Sequence, residues 1–438
     1  MVRRLISALT LASALPTAAL AQAGSPAGPV PVERLTARRT ALLERIGNGV
    51  ALIRSADEKS IEGDYPQDSD FRQDNNFFYL TGLETPESWL ALVAHKDGPD
   101  SVILYIPPRN SDQERWTGPK LGPGPEATAA TGIADVRSSR NARSEIRELL
   151  KPAGRTLFFA RHGGQRDSAF LRDLALVNAP DASVEIKSVH PQLASLRQIK
   201  DADEIARLRR AIDITTEAQR EILKTARPGM WEYELEALIE YTFRRRGAER
   251  VGFPSIVGTG INSTTLHYDK GRRQTEAGDV VVMDIGAEFG YYSADVTRTI
   301  PISGRFTPRQ RALYDLVLGS QQAAIDAVRP GVTIGQLQQI ASTYMREHSG
   351  TLCGADPCNR YFIHGLSHWL GMDVHDVGDY SAKLAPGMVL TVEPGIYIPA
   401  EKIGIRIEDD ILVTASGHEN LSEGAPRSAD EIERLMKR

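Results

Sequence analysis

The feature that most constrains the fold is an internal repeat in the second half of the chain. Two helical segments end in Arg-Pro-Gly, at 227–229 and 329–331, and a second helical pattern follows each turn. Each copy then runs into an apolar strand, GDVVVMDIG and GMVLTVEPG, so that Asp284 and Glu393 occupy equivalent positions. Elements repeated in the same order predict a duplicated, pseudo-symmetric domain.

The chain is too long for one ordinary hydrophobic core. Its 438 residues are 41% hydrophobic, which favours two domains. We expect an N-terminal domain over 34–195 and a C-terminal domain over 196–438. In the first, a helical start is followed by GVALIRS, SWLALVAH, DSVILYIP and RTLFFAR, and strands that alternate with helices predict an α/β domain. The segment RQDNNFFYLTG (72–82) is interpreted as a buried strand with the turn that leads into it.

The start of the chain has the pattern of a cleaved secretory signal. In residues 1–21, Arg3 and Arg4 precede an apolar run that ends in Ala-Leu-Ala. The run is short and interrupted, which disfavours a membrane anchor. We therefore expect cleavage near Ala21, export to the periplasm or the medium, and no membrane association of the mature form. Residues 22–33, rich in Ala, Gly and Pro, are expected to be a flexible lead-in.

Charge and cysteine content narrow the choice of partners and compartment. The formal charge of -5 becomes -7 when Arg3 and Arg4 leave with the signal, which argues against nucleic-acid binding. The two cysteines, Cys353 and Cys358, predict a short loop disulfide in an exported protein. A zinc site is disfavoured because no second cysteine pair exists to complete it.

The two repeated strands each continue into a hairpin that carries a second acid. The predicted cross-strand pairs are Asp284 with Asp295 across a turn at 289–290, and Glu393 with Glu408 across a loop at 400–401. Opposed like charges destabilise a sheet unless something neutralises them. Two divalent cations would balance the four charges, and carboxylate-rich ligation favours hard ions such as Mn²⁺. The alternative is that these acids are ordinary solvated strand residues.

Three histidines lie close together in FIHGLSHWLGMDVHD, residues 362–376. His364 and His368 share a face in either a helix or a strand, and the glycines of the stretch weaken a helical double-histidine zinc site. The internal repeat sets His375 apart as the counterpart of His267. The spacing alone leaves open which histidine binds a metal.

These acids and histidines stand in contexts that resemble the pita-bread metallopeptidases, in their aminopeptidase P and prolidase branch. The contexts are MDIGAEFGYYSADVTRT, HGLSHWLGMDVHD, TVEPGIYI and GIRIEDD, and the similarity covers nearly all of 199–420. The first half also resembles the amino-terminal domain of that branch, through YPQDSDFRQDNNFFYLTG. The resemblance implies an α/β (α+β) protein, in which an N-terminal α/β domain precedes a pseudo-symmetric pita-bread (creatinase/aminopeptidase) domain.

The resemblance also implies a chemistry and a ligand set. It implies a dinuclear hydrolase that cleaves between an N-terminal residue and a following proline, with two divalent ions that activate water. Mn²⁺ is expected first, with Zn²⁺ or Co²⁺ as alternatives. The implied metal ligands are Asp284, Asp295, His368, Glu393 and Glu408.

Four side chains receive roles in proton transfer or substrate handling by the same resemblance. Glu393 is the general base or proton shuttle. His267 and His375 flank the substrate, and His375 is expected to donate to the developing oxyanion or to the proline-side carbonyl. His364 is expected to lie toward the leaving proline.

Two further residues share strand faces with the predicted ligands. Arg406 lies two positions from Glu408 and is interpreted as orienting a carboxylate, with a surface salt bridge as the alternative. Tyr397 lies four positions after Glu393, where a role in the site and ordinary strand packing both remain open.

The resulting expectation is an exported Xaa-Pro aminopeptidase that accepts peptides of three or more residues. The nearest alternative is a prolidase, which takes only Xaa-Pro dipeptides and shares all five ligands. A metal-free peptide-binding protein or a creatinase-like relative is disfavoured, because those functions expect some ligands to be replaced. Relatives are commonly dimers or tetramers, so a homo-oligomer is expected.

Overall fold

The computed structural model describes residues 26–57, 71–152, 154–159 and 184–437. They form two compact units, whose main spans are Gly28–Val189 and His190–Arg438. The predicted signal, residues 1–21, lies outside the described residues, as does the start of the predicted lead-in. No described helix is both long enough and apolar enough to span a bilayer.

The first unit is built on one six-stranded mixed sheet. Its helices are α1 (Val32–Ile46), α2 (Asn75–Thr81), α3 (Ser111–Thr117), α4 (Pro125–Thr131) and α5 (Ala142–Leu150), and its strands are β1 (Gly49–Arg54), β2 (Trp89–Val93), β3 (Ser101–Ile106), β4 (Asp135–Ser138), β5 (Thr156–Phe159) and β6 (Glu185–Ser188). The strand order is β4-β3-β2-β1-β5-β6. Strands β1, β2 and β3 pair antiparallel, and the other three pairings are parallel. The four strands predicted from GVALIRS, SWLALVAH, DSVILYIP and RTLFFAR are confirmed.

The prediction of a strand in residues 72–82 is wrong, because this segment forms helix α2. Asp74 caps the helix by accepting a hydrogen bond from the Phe77 backbone N at 2.8 Å. Gly82 ends it in the left-handed conformation, with a φ of 67°. Every residue of α2 is buried, so its apolar run has no exposed polar face. A fully buried run of this kind carries no periodicity that separates a helix from a strand.

The second unit contains the repeat. Its helices are α6 (His190–Arg197), α7 (Ala202–Thr225), α8 (Glu232–Arg245), α9 (Pro308–Asp326), α10 (Ile334–His348) and α11 (Ala429–Met436). Its strands are β7 (Arg250–Val251), β8 (Ile256–Thr259), β9 (Val280–Ile285), β10 (Ala287–Phe289), β11 (Tyr292–Ser293), β12 (Val296–Pro301), β13 (Val389–Val392), β14 (Gly395–Ile398), β15 (Ile403–Arg406), β16 (Asp409–Val413) and β17 (His418–Asn420). Helices α7 and α8 precede the β9 hairpin, and α9 and α10 precede the β13 hairpin. The predicted duplication is confirmed by this order.

Each copy links its first helix to its hairpin through a buried glutamine. Gln219 on α7 donates to the Met283 carbonyl at 3.2 Å, and Gln321 on α9 donates to the Val392 carbonyl at 3.0 Å. The two glutamines are 102 positions apart, the same separation as the two Arg-Pro-Gly turns. Each accepting carbonyl immediately precedes the first acid of its hairpin. The repeated glutamine contact therefore fixes the position of each acid-bearing strand relative to the first helix of its copy.

The predicted disulfide is confirmed. Cys353 and Cys358 are bonded, with their Cα atoms 5.2 Å apart. Cys358 is fully buried within the apolar core of the second unit. The bridge closes the short loop between α10 and the histidine-rich stretch.

We expect Gly286→Ala to destabilise the second unit. A Cβ at this position would lie 1.9 Å from the Ala294 carbonyl oxygen and 2.7 Å from the Phe253 ring. Forcing an extra carbon into a packed site costs about 1–3 kcal/mol, which should appear as a lower urea midpoint. Gly417→Ala is the matched control, because its Cβ would meet no heavy atom within 4 Å. Equal midpoints for the two variants would contradict this packing.

Candidate metal centre and active site

The second unit encloses a cavity of about 670 Å³. Its wall includes every site residue predicted from the sequence apart from Tyr397: His267, Asp284, Asp295, His364, His368, His375, Glu393, Arg406 and Glu408. Much of the remaining wall is apolar and includes Phe253, Pro254, Ile256, Leu266 and Val374. The cavity therefore combines a concentrated acidic and histidine-rich patch with apolar surface.

The second hairpin has the predicted register. Gly395 lies opposite Arg406 in the β14–β15 pair, and Val392 lies opposite Asp409 in the β13–β16 pair. The same register on both sides of the intervening residues places Glu393 opposite Glu408. Glu393 directly follows β13 and Glu408 directly precedes β16, so both carboxylates reach the cavity from the same end of this strand pair.

The predicted register of the first hairpin is wrong by two residues. Asp284 lies opposite Thr297, not opposite Asp295. The turn is formed by Gly290 and Tyr291, with φ angles of 57° and 72°, and two successive positive φ values are typical of a tight two-residue hairpin turn. A shift of two keeps side chains on the same face of a strand, so Asp284 and Asp295 still face the cavity together.

A candidate metal cluster lies where the two hairpins meet. Ligand atoms of Asp295, His368 and Glu408 are within 4.8 Å of one another. His368 Nε2 lies 3.3 Å from Asp295 Oδ2 and 3.5 Å from Glu393 Oε1. The junctions β11–β12, β13–β14 and β15–β16, together with the histidine-rich loop, thus bring four side chains to one point.

The hydrogen bonds of His368 leave one ring nitrogen suited to a metal. Its Nδ1 lies 3.2 Å from the Trp369 carbonyl oxygen, which can only accept, so Nδ1 carries the proton. In the neutral ring the Nε2 lone pair then faces two carboxylates. A cation between these groups resolves that conflict, and a backbone carbonyl on the far nitrogen is the usual partner of a metal-binding histidine.

The carboxylates are buried in a way that favours a cation among them. Burial, and then repulsion from Asp284, raises the pKa of Asp295 well above its usual range. Burial and repulsion from Asp295 do the same to the pKa of Glu408. Burial raises the pKa of Glu393 to about 7, although His368 and Arg406 oppose the shift. The Oδ1 atoms of Asp284 and Asp295 are buried without a hydrogen-bond partner among the described residues. The donor set therefore fits divalent cations, which would neutralise and ligate these oxygens.

Arg406 is buried and orients the acid on the other hairpin. Its side chain is 5% exposed, which excludes the surface salt bridge. Nη2 donates to Asp284 Oδ2 at 2.5 Å, and Nε donates to Thr297 Oγ1 at 3.1 Å. The guanidinium on β15 thus fixes the orientation of the Asp284 carboxylate on β9.

Tyr397 connects Arg406 to His364, so it does more than fill space between strands. Arg406 Nη1 donates to the Tyr397 hydroxyl oxygen at 2.9 Å. The hydroxyl lies 2.9 Å from His364 Nε2, and His364 Nδ1 lies 2.9 Å from the Gly365 carbonyl oxygen. Burial, with the charge of Arg406, lowers the pKa of His364 to about 4. The neutral ring therefore donates from Nδ1 and accepts from the tyrosine hydroxyl at Nε2.

The two flanking histidines both line the cavity, but their settings differ. The His375 ring stacks on His368, with centroids 4.0 Å apart and planes 7° apart. Burial, and then the neighbouring charges of His368 and His267, lowers the pKa of His375. A neutral His375 can donate a hydrogen bond into the cavity. His267 lies on the wall next to Leu266.

Two threonines that the sequence did not single out hold the carboxylates. Thr297 Oγ1 donates to Glu408 Oε2 at 2.6 Å, and Thr391 Oγ1 donates to Glu393 Oε1 at 3.3 Å. Each threonine stands two positions from a predicted ligand, Asp295 or Glu393, and so shares its strand face. The two-residue period of a strand could therefore have identified both threonines from the sequence.

Known proteins match both units. The model of metallopeptidase family M24 matches residues 206–415, and that of the aminopeptidase P N-terminal domain matches 35–158. Xaa-Pro aminopeptidase of Escherichia coli is 36% identical over 434 residues, covering 91% of this chain and 96% of the relative.

Solved structures agree with these matches. Aminopeptidase P from E. coli with the inhibitor Pro-Leu has a TM-score of 0.87 at 33% identity, covering 93% of this chain and 99% of that one. Zinc-substituted E. coli aminopeptidase P in complex with product has a TM-score of 0.88 with the same identity and coverage. The predicted fold class, an N-terminal α/β domain before a pita-bread domain, is confirmed, and so is the prediction of a hydrolytic enzyme. This chain belongs to metallopeptidase family M24, in its aminopeptidase P branch.

Proposed function

We propose that this chain is an exported Xaa-Pro aminopeptidase that uses two divalent cations, with Mn²⁺ as the first candidate. The residues that would hold the ions are Asp284, Asp295, His368, Glu393 and Glu408. The observation that carries the proposal is the set of four carboxylates in one cavity, two of which, Asp295 and Glu393, face the Nε2 lone pair of His368. Ions bound there would act as Lewis acids and lower the pKa of a bound water.

The side chains around this centre can supply the remaining steps of amide hydrolysis. Glu393, beside the water that would be bound there, can accept a proton from the attacking water and return it to the leaving nitrogen. His375, held neutral by its lowered pKa, can donate to the substrate carbonyl as negative charge develops on it. Arg406 keeps Asp284 and Tyr397 in place, and Tyr397 keeps His364 in its neutral tautomer.

The composition of the cavity wall favours a substrate that has proline next to the cleaved bond. Apolar side chains such as Phe253, Leu266 and Val374 lie in the same wall as the acids, which suits a pyrrolidine ring near a metal centre. The relatives named Xaa-Pro aminopeptidase and the Pro-Leu complex of the E. coli enzyme support this substrate class.

Export and self-association belong to the same proposal. Export is supported by the signal pattern of residues 1–21 and by the disulfide between Cys353 and Cys358, since disulfides persist in oxidising compartments. Detection of the protein only in the cytosolic fraction would contradict export. A dimer or tetramer is expected from the family resemblance, and light scattering that finds only monomers would contradict it.

The first test is a comparison of peptide lengths. We expect the metal-loaded enzyme to release alanine from Ala-Pro-Ala and to leave Ala-Ala-Ala intact, because the apolar wall suits proline in the second position. Liquid chromatography of the products measures both reactions. Turnover of Ala-Pro without Ala-Pro-Ala would identify a prolidase, and turnover of neither would contradict the proposed function.

The second test is the loss of one predicted ligand. Glu408→Gln should reduce the metal content below two ions per chain and lower kcat/KM by about 10²-fold or more, because Lewis-acid stabilisation is worth several kcal/mol. Elemental analysis after dialysis measures the metal. Glu347→Gln is the control, because the Glu347 side chain is 60% exposed and does not line the cavity. A Glu408→Gln enzyme with full metal content and activity would exclude this residue as a ligand.

The third test follows the stability of the metal-free protein with pH. The pKa of Glu393 rises from an ordinary 4.5 to about 7 on folding, so the folded state binds more protons than the unfolded state. Its contribution to stability is complete below pH 4.5 and is lost as the pH rises through 7. The pKa values of Asp295 and Glu408 shift in the same direction.

Thermal melts in a chelator should therefore show a Tm that falls between about pH 5 and pH 8. Mn²⁺ should restore the Tm at the upper end, because the cation replaces the protons. Glu393→Gln should flatten the slope in the metal-free protein. A wild-type Tm that is independent of pH would show that these acids are not buried together.

A further inference from the structure

A short segment before α7 contacts the loop that carries His375 through several side chains. The clamp segment is residues 197–200, and the His375 loop is residues 369–379. Arg197 Nη2 donates to Asp376 Oδ1 at 2.5 Å and to Asp373 Oδ2 at 2.8 Å. The side chains of Arg197 and Asp376 are 2% and 1% exposed, so this ion pair is buried. The aspartate is the immediate neighbour of His375 in the chain.

The clamp segment holds the loop at further points. Lys200 Nζ lies 3.2 Å from Asp376 Oδ2, and the lysine side chain is 1% exposed. Gln198 Nε2 donates to the Asp379 carbonyl, and the Asp379 backbone N donates back to Gln198 Oε1, both at 3.4 Å. Two buried cations and one amide therefore face the same loop.

The loop is folded tightly around the Asp376 carboxylate. A Cβ on Gly371 would lie 2.0 Å from Asp376 Oδ2, so only glycine allows this approach. The Asp376 backbone N donates to the Trp369 carbonyl at 2.8 Å, and Ser293 N donates to the Gly371 carbonyl at 2.9 Å. Burial disfavours the charged acid, but Arg197 and Lys200 outweigh it and lower the pKa of Asp376. The loop is thus closed around an ionised carboxylate.

We propose that Arg197 is a positioning residue for His375. By fixing Asp373 and Asp376, it sets the loop so that the His375 ring stacks on His368, 4.0 Å away between centroids. This inference rests on the proposed peptidase function, because the position of His375 matters only if His375 donates a hydrogen bond to the substrate.

Apart from the Trp369 carbonyl, which contacts His368 Nδ1, the metal centre has supports outside the His375 loop. The His368 backbone N donates to Thr391 Oγ1 at 3.1 Å, and the Thr391 N donates to the His368 carbonyl at 3.0 Å. The buried glutamines Gln219 and Gln321 anchor the acidic strands from the other side. Loss of the Arg197 contacts should therefore displace His375 and leave the ligands in place.

The test is a double-mutant cycle in the full-length, metal-loaded enzyme. Arg197→Gln should lower kcat on Ala-Pro-Ala by about tenfold or more, with a smaller change in KM, because the affected hydrogen bond strengthens in the transition state. In a His375→Ala background the same substitution should change kcat by less than about twofold, since residues that act as a unit are not additive. Metal content should stay at the wild-type value.

The matched control is Arg209→Gln, which removes an equivalent but exposed pair with Glu419 and should leave kcat unchanged. Arg197→Lys keeps the buried charge and should retain part of the activity. If Arg197→Gln does not fold, the cycle is run with Arg197→Lys. The same tenfold loss of kcat in both backgrounds, or none in either, would overturn the proposal.

A second measurement does not depend on catalysis, so it separates this inference from the proposed function. In zinc-loaded protein with ¹³C-labelled histidine, Arg197→Gln should move the His375 ring resonance and leave that of His267 in place. The His375→Ala spectrum identifies the signal. An unmoved His375 resonance would overturn the positioning role even if the enzyme is active. An inactive wild type with a moved resonance would contradict only the proposed peptidase.

Discussion

Four carboxylates share one buried cavity, and their mutual repulsion is the constraint that the rest of the second unit has to meet. Burial and repulsion raise the pKa values of Asp295 and Glu408 well above their usual range. The chain offsets part of this cost with its own donors. Arg406 neutralises Asp284, and the hydroxyl of Thr297 donates to Glu408. What remains is an excess of negative charge beside the free lone pair of His368, which is the environment that divalent cations require.

Duplication explains how one chain brings these acids together. Each copy supplies a helix pair, a hairpin and a buried glutamine that donates to the carbonyl before the first acid of that hairpin. The copies differ where the chemistry needs asymmetry. The metal-facing histidine, His368, has no partner of the same kind in the first copy's predicted ligand set, and the loop around it is held by Arg197 and Lys200. Symmetry builds the acidic centre, and the loops of the second copy surround it with neutral histidines.

The errors of the sequence-based predictions have definite causes. The sequence of α2 wrongly predicts a strand because all residues of the helix are buried, which removes the polar face that marks a helix. The first hairpin is shifted by two residues because Gly290 and Tyr291 both take positive φ angles, and such a turn cannot be read from a glycine alone. The second hairpin was predicted correctly because its longer loop is symmetric about 400–401. A shift of two residues keeps each side chain on the same face of its strand. The prediction that Asp284 and Asp295 face one site is therefore unaffected.

The sequence by itself determined the duplication, the identity of the acids and the strand face on which each one lies. These properties follow from local periodicity, since alternate residues of a strand share a face. Only the tertiary structure decided that Arg406 holds Asp284, that Tyr397 joins Arg406 to His364, and that Arg197 reaches the His375 loop. Most of these contacts join residues far apart in the chain, and Tyr397 meets Arg406 and His364 on different elements. Their partners are chosen by how helices, strands and loops pack, which no local pattern encodes.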